Sequence, residues 1–399
     1  MRAADEPDTG HGIAPLPQSA ARRPELLVLT SVRAFAALEV VLLHSLFELG
    51  GTWVNRLPAP IARVLLQGQV AVSFFFVLSG FILAYTYCEP AGGLIDTPRR
   101  FWRARFARVY PLYCLAFLID LPRGIQSFLN AAPSVKNALG KIAVSGASYL
   151  TLTQSWYPRV TNSWNTPGWS LSAEAFFYAV FPALVIATKR WSVWRLLALA
   201  VVCWALPALG YEGLFHFRGH DLESANLQTL WRSFPPLRLP EFLLGVAAGR
   251  IYVSGQVNRI AKWLRPAGLV ALALIAVLLG ADLGLPQALV ENTLEAPLFA
   301  IAILAAATSA IPSPSWLTSR PLLLLGRSSY AVYIVHQPFK FWFESLATRL
   351  GLYLPSPLLL VCYLCTLQTC CIGLFVWFED PLRRAITARA RRSVARTTR

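Results

Sequence analysis

The sequence predicts an all-α fold, a polytopic transmembrane helical bundle of about ten spans with both termini in the cytoplasm. Three observations carry that prediction: an apolar composition, apolar runs of membrane-crossing length, and an uneven distribution of Lys and Arg. Of 399 residues, 56% are hydrophobic and 14% charged, against roughly 25% charged in an ordinary soluble domain. Mean hydropathy is +0.51. A soluble globule of this composition would expose large apolar patches to water. A bilayer covers the same surface with hydrocarbon and asks about 20 apolar residues of each span.

The runs fall at about 32–50, 69–87, 109–127, 171–188, 195–211, 236–253, 263–281, 294–311, 326–348 and 357–378. Residues 1–28 are polar, carry Pro7, Pro15, Pro17 and Pro24, and are expected to form a disordered cytoplasmic tail. No cleavable signal peptide is expected ahead of the first span, which serves as its own insertion signal. The membrane domain then covers 29–384, and 385–399 forms a second, basic cytoplasmic tail.

With ten spans, both termini lie on one side. Assigning that side to the cytoplasm places most of the 36 Lys and Arg on inner segments. Three lie in the N-terminal tail, five in 88–108 and seven after the last span. That asymmetry follows the positive-inside rule. Residues 142–158 (IAVSGASYLTLTQSWYP) are apolar enough to enter the bilayer, but short and rich in Ser and Thr. They are expected to form a re-entrant or interfacial piece of an outer loop, about 128–168. An eleventh span there would invert everything downstream and put the arginine-rich C-terminal tail outside.

The same charge distribution argues against nucleic acid as a partner. Net charge is +16, yet no basic helix with interleaved aromatics lies outside the apolar runs, so the excess reads as topology. The seven cysteines sit mostly in or beside spans. Cys362 and Cys365 have CxxC spacing without a second such pair or a histidine cluster, and read as small apolar filler. Five scattered histidines form no HExxH pattern. A metal site is not expected.

Ionisable groups within the bilayer are costly and tend to be functional. The first span holds Arg33, Glu39, His44 and Glu48. From Arg33 to His44 is eleven residues, which at about 100° per residue is three turns plus about 20°. The two side chains therefore leave nearly the same face, offset about 16 Å along the axis, and Glu48 shares that face roughly. Arg33 alone is equally well a lipid-headgroup anchor, and His44 alone a hydrogen-bonded packing residue. Together on one face they favour a cleft, with histidine as a general base near neutral pH and arginine as a holder of phosphate or a carbonyl oxygen.

Four further strings stand out. RRFWRARFARVYP (99–111) packs Arg99, Arg100, Arg103, Arg105 and Arg108 just before the third span. It is a topogenic loop and also a plausible dock for a phosphorylated donor, with Pro111 at a helix start. WSLSAEAFFY (169–178) is expected to open the fourth span with Ser170 or Ser172 as N-cap and Glu174 in the first turn. RLPEFLLGVAAG (238–249) carries Arg238 and Glu241, and its Gly245 and Gly249 permit close helix packing. GRSSYAVYIVHQP (326–338) holds Tyr330, Tyr333 and His336, residue types common in membrane-interface belts.

Read in order, these strings resemble the acyltransferase 3 family of bacterial membrane proteins. LTSVRAFAALEVVLLH (29–44) is similar to the family's opening span, FFFVLSGFIL (74–83) to its second, and RARFARVYP (103–111) to its Arg-x-x-Arg-x-x-Pro motif through Arg105, Arg108 and Pro111. WSLSAEAFFY is similar to its Trp-Ser-Leu-Ser-x-Glu signature at Trp169, Ser172 and Glu174. RLPEFLLGVAAG, SSYAVYIVHQP and FEDPLRR (378–384) complete a match over about 29–384. Two departures stand out. Glu39 replaces a usually apolar residue, and Ala175 stands where a second acidic residue is common.

The resemblance implies transfer of an acyl group, commonly acetyl, from cytoplasmic acyl-CoA to a hydroxyl in the bacterial cytoplasmic (inner) membrane. Acceptors of that family are sugars of surface polysaccharide, lipopolysaccharide or peptidoglycan, or secondary metabolites. It further implies that Arg33 and His44 are the essential pair. Arg105 and Arg108, with Arg103 in the same string, would hold CoA, and Glu174 would orient His44 or bind the sugar. No metal is implied. The acceptor and the oligomeric state stay open at this point. A glycan or small-solute exporter is the main alternative from another class, since intramembrane charges suit it too. The sequence shows no internal repeat of the transporter kind. A membrane assembly protein is the third reading and leaves the Arg33–His44 face unexplained.

Overall fold

Helix follows helix through a computed structural model that describes residues 23–218, 225–284, 293–352 and 354–397. Among the described residues no strand forms beyond an isolated bridge between Cys88 and Leu94. The helices are α1 Leu27–Gly50, α2 Ala59–Leu66, α3 Gly68–Tyr87, α4 Pro98–Ala131, α5 Val135–Leu150, α6 Gly168–Ala187 and α7 Val193–Arg218. There follow α8 Ala225–Ser233, α9 Pro235–Val253, α10 Val257–Gly280, α11 Glu295–Ala307, α12 Arg320–Arg349, α13 Ser356–Leu374 and α14 Asp380–Thr397. A π-helical turn, Phe375–Glu379, joins the last two. The first 22 residues of the expected N-terminal tail lie outside the described residues, as do the last two of the C-terminal tail. The rest of that C-terminal tail is helical, within α14.

Six described helical segments are long and apolar enough to cross a membrane: Leu27–Arg56, Gly68–Tyr87, Pro98–Ala131, Gly168–Ala187, Val257–Gly280 and Ser356–Ala388. Val193–Pro207 and Glu295–Ala307 are shorter apolar helices. α9 and α12 carry charges that turn inward rather than to lipid. Arg238 and Glu241 of α9 are each 1% exposed and pair at 3.0 Å. The Arg238 guanidinium also lies 5.2 Å from the Phe76 ring and 5.7 Å from Trp169. A buried pair is tolerable when charge and hydrogen bonds are both answered. Phe35, Leu38 and Phe47 of α1 face outward, where lipid covers them.

Two helix boundaries differ from expectation, each for a local reason. Thr97 caps α4 by accepting from the Arg100 amide at 3.4 Å, with Pro98 in the first turn. The helix therefore begins well ahead of the apolar run, carries the arginine string on its surface and holds Pro111 in its interior. Neither Ser170 nor Ser172 caps α6. The residue before the helix is Pro167, and the Ser170 hydroxyl donates back to the Pro167 carbonyl at 3.0 Å. Glu174 consequently stands in the second turn, not the first.

Interior prolines leave the carbonyl four residues back without a helical donor, and two such carbonyls are met from other elements. Pro182 frees Tyr178, whose oxygen accepts from Trp102 Nε1 at 2.9 Å. Pro338 frees Ile334, whose oxygen accepts from Asn165 Nδ2 at 2.6 Å. Asn165 belongs to residues 151–167, an irregular segment after α5 that sinks between helices. Within it Gln154, Ser155, Thr161 and Trp164 are buried. Gln154 Nε2 donates to Gly168 O at 2.7 Å and Ser155 Oγ to Trp169 O at 2.7 Å. Non-helical backbone at this depth is tolerated only where protein answers its polar groups. The expected piece at 142–158 thus divides into the last helical turns of α5 and the start of this buried segment.

Two glycine contacts set the helix register. A Cβ on Gly326 of α12 would lie 2.0 Å from the Thr30 carbonyl oxygen of α1. Lys340 Nζ meets the His44 carbonyl at 2.7 Å on the same pair of helices. Both contacts join residues 296 apart (326 minus 30; 340 minus 44), so the two helices run parallel in one register over about 21 Å. α3 and α9 repeat the device. Ser73 with Glu241, Val77 with Gly245 and Phe81 with Gly249 are each 168 apart, and a Cβ on Gly245 would lie 1.9 Å from Val77 O. At the N-terminal end, Arg327 of α12 clamps Glu25 at 2.7 Å.

Gly326→Val and Gly245→Val are expected to lose at least about 3 kcal/mol, the upper range for overpacking. Gly140→Ala, with open space around its Cβ, should leave stability unchanged or raise it. Thermal unfolding in detergent followed by tryptophan fluorescence checks this, and a wild-type midpoint for Gly326→Val would refute the register argument. Asn165→Leu leaves the Ile334 carbonyl bare and should cost about 1–3 kcal/mol in the same assay. The hydrogen bond from Arg327 holds the Glu25 carboxyl below its ordinary value of 4.5. Its contribution is therefore complete above that value and fades as pH falls through the lowered one. Glu25→Gln should flatten the acid limb of the stability curve measured across that range.

Candidate active site

Parallel packing of α1 on α12 puts two polar clusters along α1, one around His44 and one around Arg33. They lie about 16 Å apart along the helix axis. At His44, the ring Nδ1 lies 2.8 Å from the Val40 carbonyl oxygen and 3.3 Å from Nε2 of His336. The two imidazoles stand 5.2 Å apart at an interplanar angle of 40°. His336 is 1% exposed. Its Nδ1 is 2.8 Å from the Tyr333 carbonyl, and its own carbonyl accepts from the Tyr363 hydroxyl at 3.0 Å. Lys340, one turn on, pairs with the exposed carboxylate of Glu48. A histidine pair with an ion pair one turn away, whose carboxylate reaches solvent, suits a proton-handling site.

Arg33 has a different company. Its guanidinium interacts electrostatically with Arg108, Glu379, Glu174 and Tyr178, and has no hydrogen-bonded partner among the described residues. Arg108 pairs with Glu379 from the π-helical turn and lies 5.7 Å from the Tyr330 ring. Arg105 donates to the Tyr87 hydroxyl at 3.0 Å, with its guanidinium 5.3 Å from that ring and 5.9 Å from Tyr178. Glu174 accepts from Ser79 Oγ at 3.1 Å and from the Tyr178 hydroxyl. A cleft of about 340 Å³ opens beside this cluster between α4 and α6, walled by Trp102, Arg105, Phe106, Tyr110, Leu171 and Tyr178.

Of the six residues singled out in the sequence, the structure gathers Arg33, Arg105, Arg108 and Glu174 into one cluster. His44 is on the same helix but outside it. Arg103 stands apart, exposed on the α4 surface, because two residues along a helix turn a side chain through about 200°. Glu174 hydrogen-bonds with Ser79 and Tyr178, so the side chain that meets His44 is His336 instead. Tyr333 and His336 are buried in the bundle rather than placed in an interfacial belt, and Tyr333 bonds with Ser170 at 2.6 Å. HQP carries a signal of another kind: Pro338 frees the Ile334 carbonyl and marks this stretch as one that takes a partner from elsewhere, here Asn165, without naming His44.

Comparison with known proteins decides the class of the protein. The sequence matches the profile of a family described as an acyltransferase domain over residues 27–376. The chain belongs to this family. Acyltransferase MdmB of Streptomyces mycarofaciens is 32% identical over 346 residues, covering 80% of this chain and 80% of that protein. Exopolysaccharide production protein ExoZ of Rhizobium meliloti is 27% identical, covering 82% of this chain and 93% of its own. A putative peptidoglycan O-acetyltransferase of Bacillus subtilis, YrhL, is 24% identical over 78% of this chain and 48% of its own length. No solved structure matches. The protein is therefore an acyltransferase and a multi-pass membrane protein, and the exporter reading falls away.

Proposed function

We propose that this acyltransferase moves an acyl group, acetyl by preference, from cytoplasmic acyl-CoA to a hydroxyl of a carbohydrate. Its place is the bacterial inner membrane. The observation that carries this reading is α1 itself: one helix presents an arginine cluster at one depth and a histidine site at another. In this reading the exposed Arg103, with Arg105 and Arg108, takes the CoA phosphates, to which arginine is suited by its planar donor fork. Glu174 fixes the cluster through Tyr178 and Ser79, and the pantetheine arm passes Arg33 towards His44. Two of the relatives are named for exopolysaccharide and for peptidoglycan O-acetylation, which supports a glycan acceptor.

The chemistry balances without any other group. His44 takes the proton of the acceptor hydroxyl as its oxygen bonds to the thioester carbonyl carbon. The C–S bond then breaks, and the departing thiolate takes the proton from His44, restoring the neutral ring. Arg33 holds the donor or polarises its carbonyl.

A topology of ten spans with both termini cytoplasmic serves this route, because it puts the arginines on the side where CoA is found. Helix direction supports it. α1 and α12 are the first and ninth spans and run parallel, while α3 and α9 are the second and sixth and also run parallel. If α5 crossed as well, α3 and α9 would run in opposite directions.

Deleting the gene and weighing the cell's surface glycans should reveal a missing acyl mass. Purified protein should bind acetyl-CoA. His44→Ala should lower transfer by about 10²–10⁴-fold while leaving donor binding intact. Arg33→Ala and Arg105→Ala should chiefly weaken donor binding, read as a raised KM for acetyl-CoA. Full acylation by His44→Ala at normal protein level, or an unchanged glycan profile after deletion, refutes the reading.

A further inference from the structure

A base at His44 needs one ring nitrogen with a bare lone pair and a fixed proton on the other. We propose that His336 is a positioning residue for this step: its Nε2 lone pair, 3.3 Å from His44 Nδ1, holds the His44 proton on Nδ1 and leaves His44 Nε2 as the base. The inference rests on the acyl-transfer role given to His44 above.

The protons are assigned from the partners of each nitrogen. His336 Nδ1 lies 2.8 Å from the Tyr333 carbonyl oxygen, and His44 Nδ1 lies 2.8 Å from that of Val40. A carbonyl oxygen only accepts, so each ring carries its hydrogen on Nδ1. Each neutral ring then has a bare Nε2. That of His336 points at His44, whose Nδ1–H is shared between it and Val40 as a three-centre bond. The opposite arrangement, with a hydrogen on His336 Nε2, sets two ring lone pairs against carbonyl oxygens at 2.8 Å. His44 Nε2 has no hydrogen-bonded partner among the described residues.

The consequence is specific to the reacting state. When His44 takes the acceptor's proton, its bond to His336 becomes charge-assisted, and such bonds are about twice as strong as neutral ones. His336 itself neither gains nor loses a proton. Its ring is held for this task by the Tyr333 carbonyl at Nδ1, and its main-chain carbonyl by the Tyr363 hydroxyl. Lys340 points at the His44 carbonyl and Glu48 rather than at a ring nitrogen.

The test uses purified full-length protein, acetyl-CoA as donor and the glycan fraction of the deletion strain as acceptor. His336→Leu should lower kcat by about 10- to 100-fold, the weight of one hydrogen bond to a charged group, with KM for acetyl-CoA unchanged. His336→Gln, whose amide oxygen accepts as Nε2 does, should recover most of that loss. Unchanged kcat in His336→Leu overturns the inference, as does a Gln variant as slow as Leu. Magic-angle-spinning spectra of ¹⁵N-histidine in the wild-type protein give a second readout that needs no variant of His336. The His44 signals, identified by their loss in His44→Ala, should show a protonated Nδ1 and a bare Nε2. The reverse tautomer overturns the inference. Wild-type protein inactive with every glycan fraction refutes the acyl-transfer reading itself, whereas an active wild type indifferent to His336 refutes this inference alone.

Discussion

Everything in the site depends on how closely the backbone of α1 approaches that of α12. At Gly326 a side chain of any size would strike the Thr30 carbonyl, so the approach exists only because that position has no Cβ. The contact also fixes register. A slip of one residue on either helix would turn His336 through about 100° and take it away from His44. Lys340 would lose the His44 carbonyl in the same move. α3 and α9 use the same kind of contact and hold the Arg238–Glu241 pair beneath Trp169.

Proline and its consequences form the second organising feature. Helices in a bilayer cannot leave a carbonyl bare, because no water is there to meet it. Pro338 and Pro182 each create such a carbonyl, and Asn165 and Trp102 close them. The loop segment that carries Asn165 is thereby tied to the helix that carries His336. The wall of the cleft beside Arg105 is tied to α6 in the same way. Polar closure of proline breaks is thus what attaches the irregular parts of the chain to the two clusters.

Much of this was legible in the sequence, and the boundary between legible and hidden is physical. The Arg33–His44 relation lies on one helix, where 100° per residue suffices to place two side chains. Each of the ten apolar runs falls on a helix, and six of those helices are long and apolar enough to cross a membrane, whereas α2, α5, α8 and α14 lie outside the runs. The start of α4 was misplaced because apolar content locates a span but not its cap. Thr97 and Pro98 extend the helix through a charged string that hydropathy alone reads as loop. The N-cap of α6 was misplaced because Ser170 has a better partner in Tyr333, whose position no local pattern reveals. The His44–His336 contact spans 292 residues of chain. Nothing in either motif names the other, and only packing brings them together.

The separation of 296 residues between partners on α1 and α12 also sets a timetable. At a synthesis rate of about 5–20 residues per second, roughly 15–60 s pass between the emergence of the first span and that of its mate. During that interval the newborn first span sits in the bilayer with Arg33, Glu39, His44 and Glu48 and without α12. These four ionisable side chains make it a poor solitary membrane helix. Its survival until α12 arrives is a matter for the insertion machinery and for the earlier helices, α3 above all, that shelter one side of it.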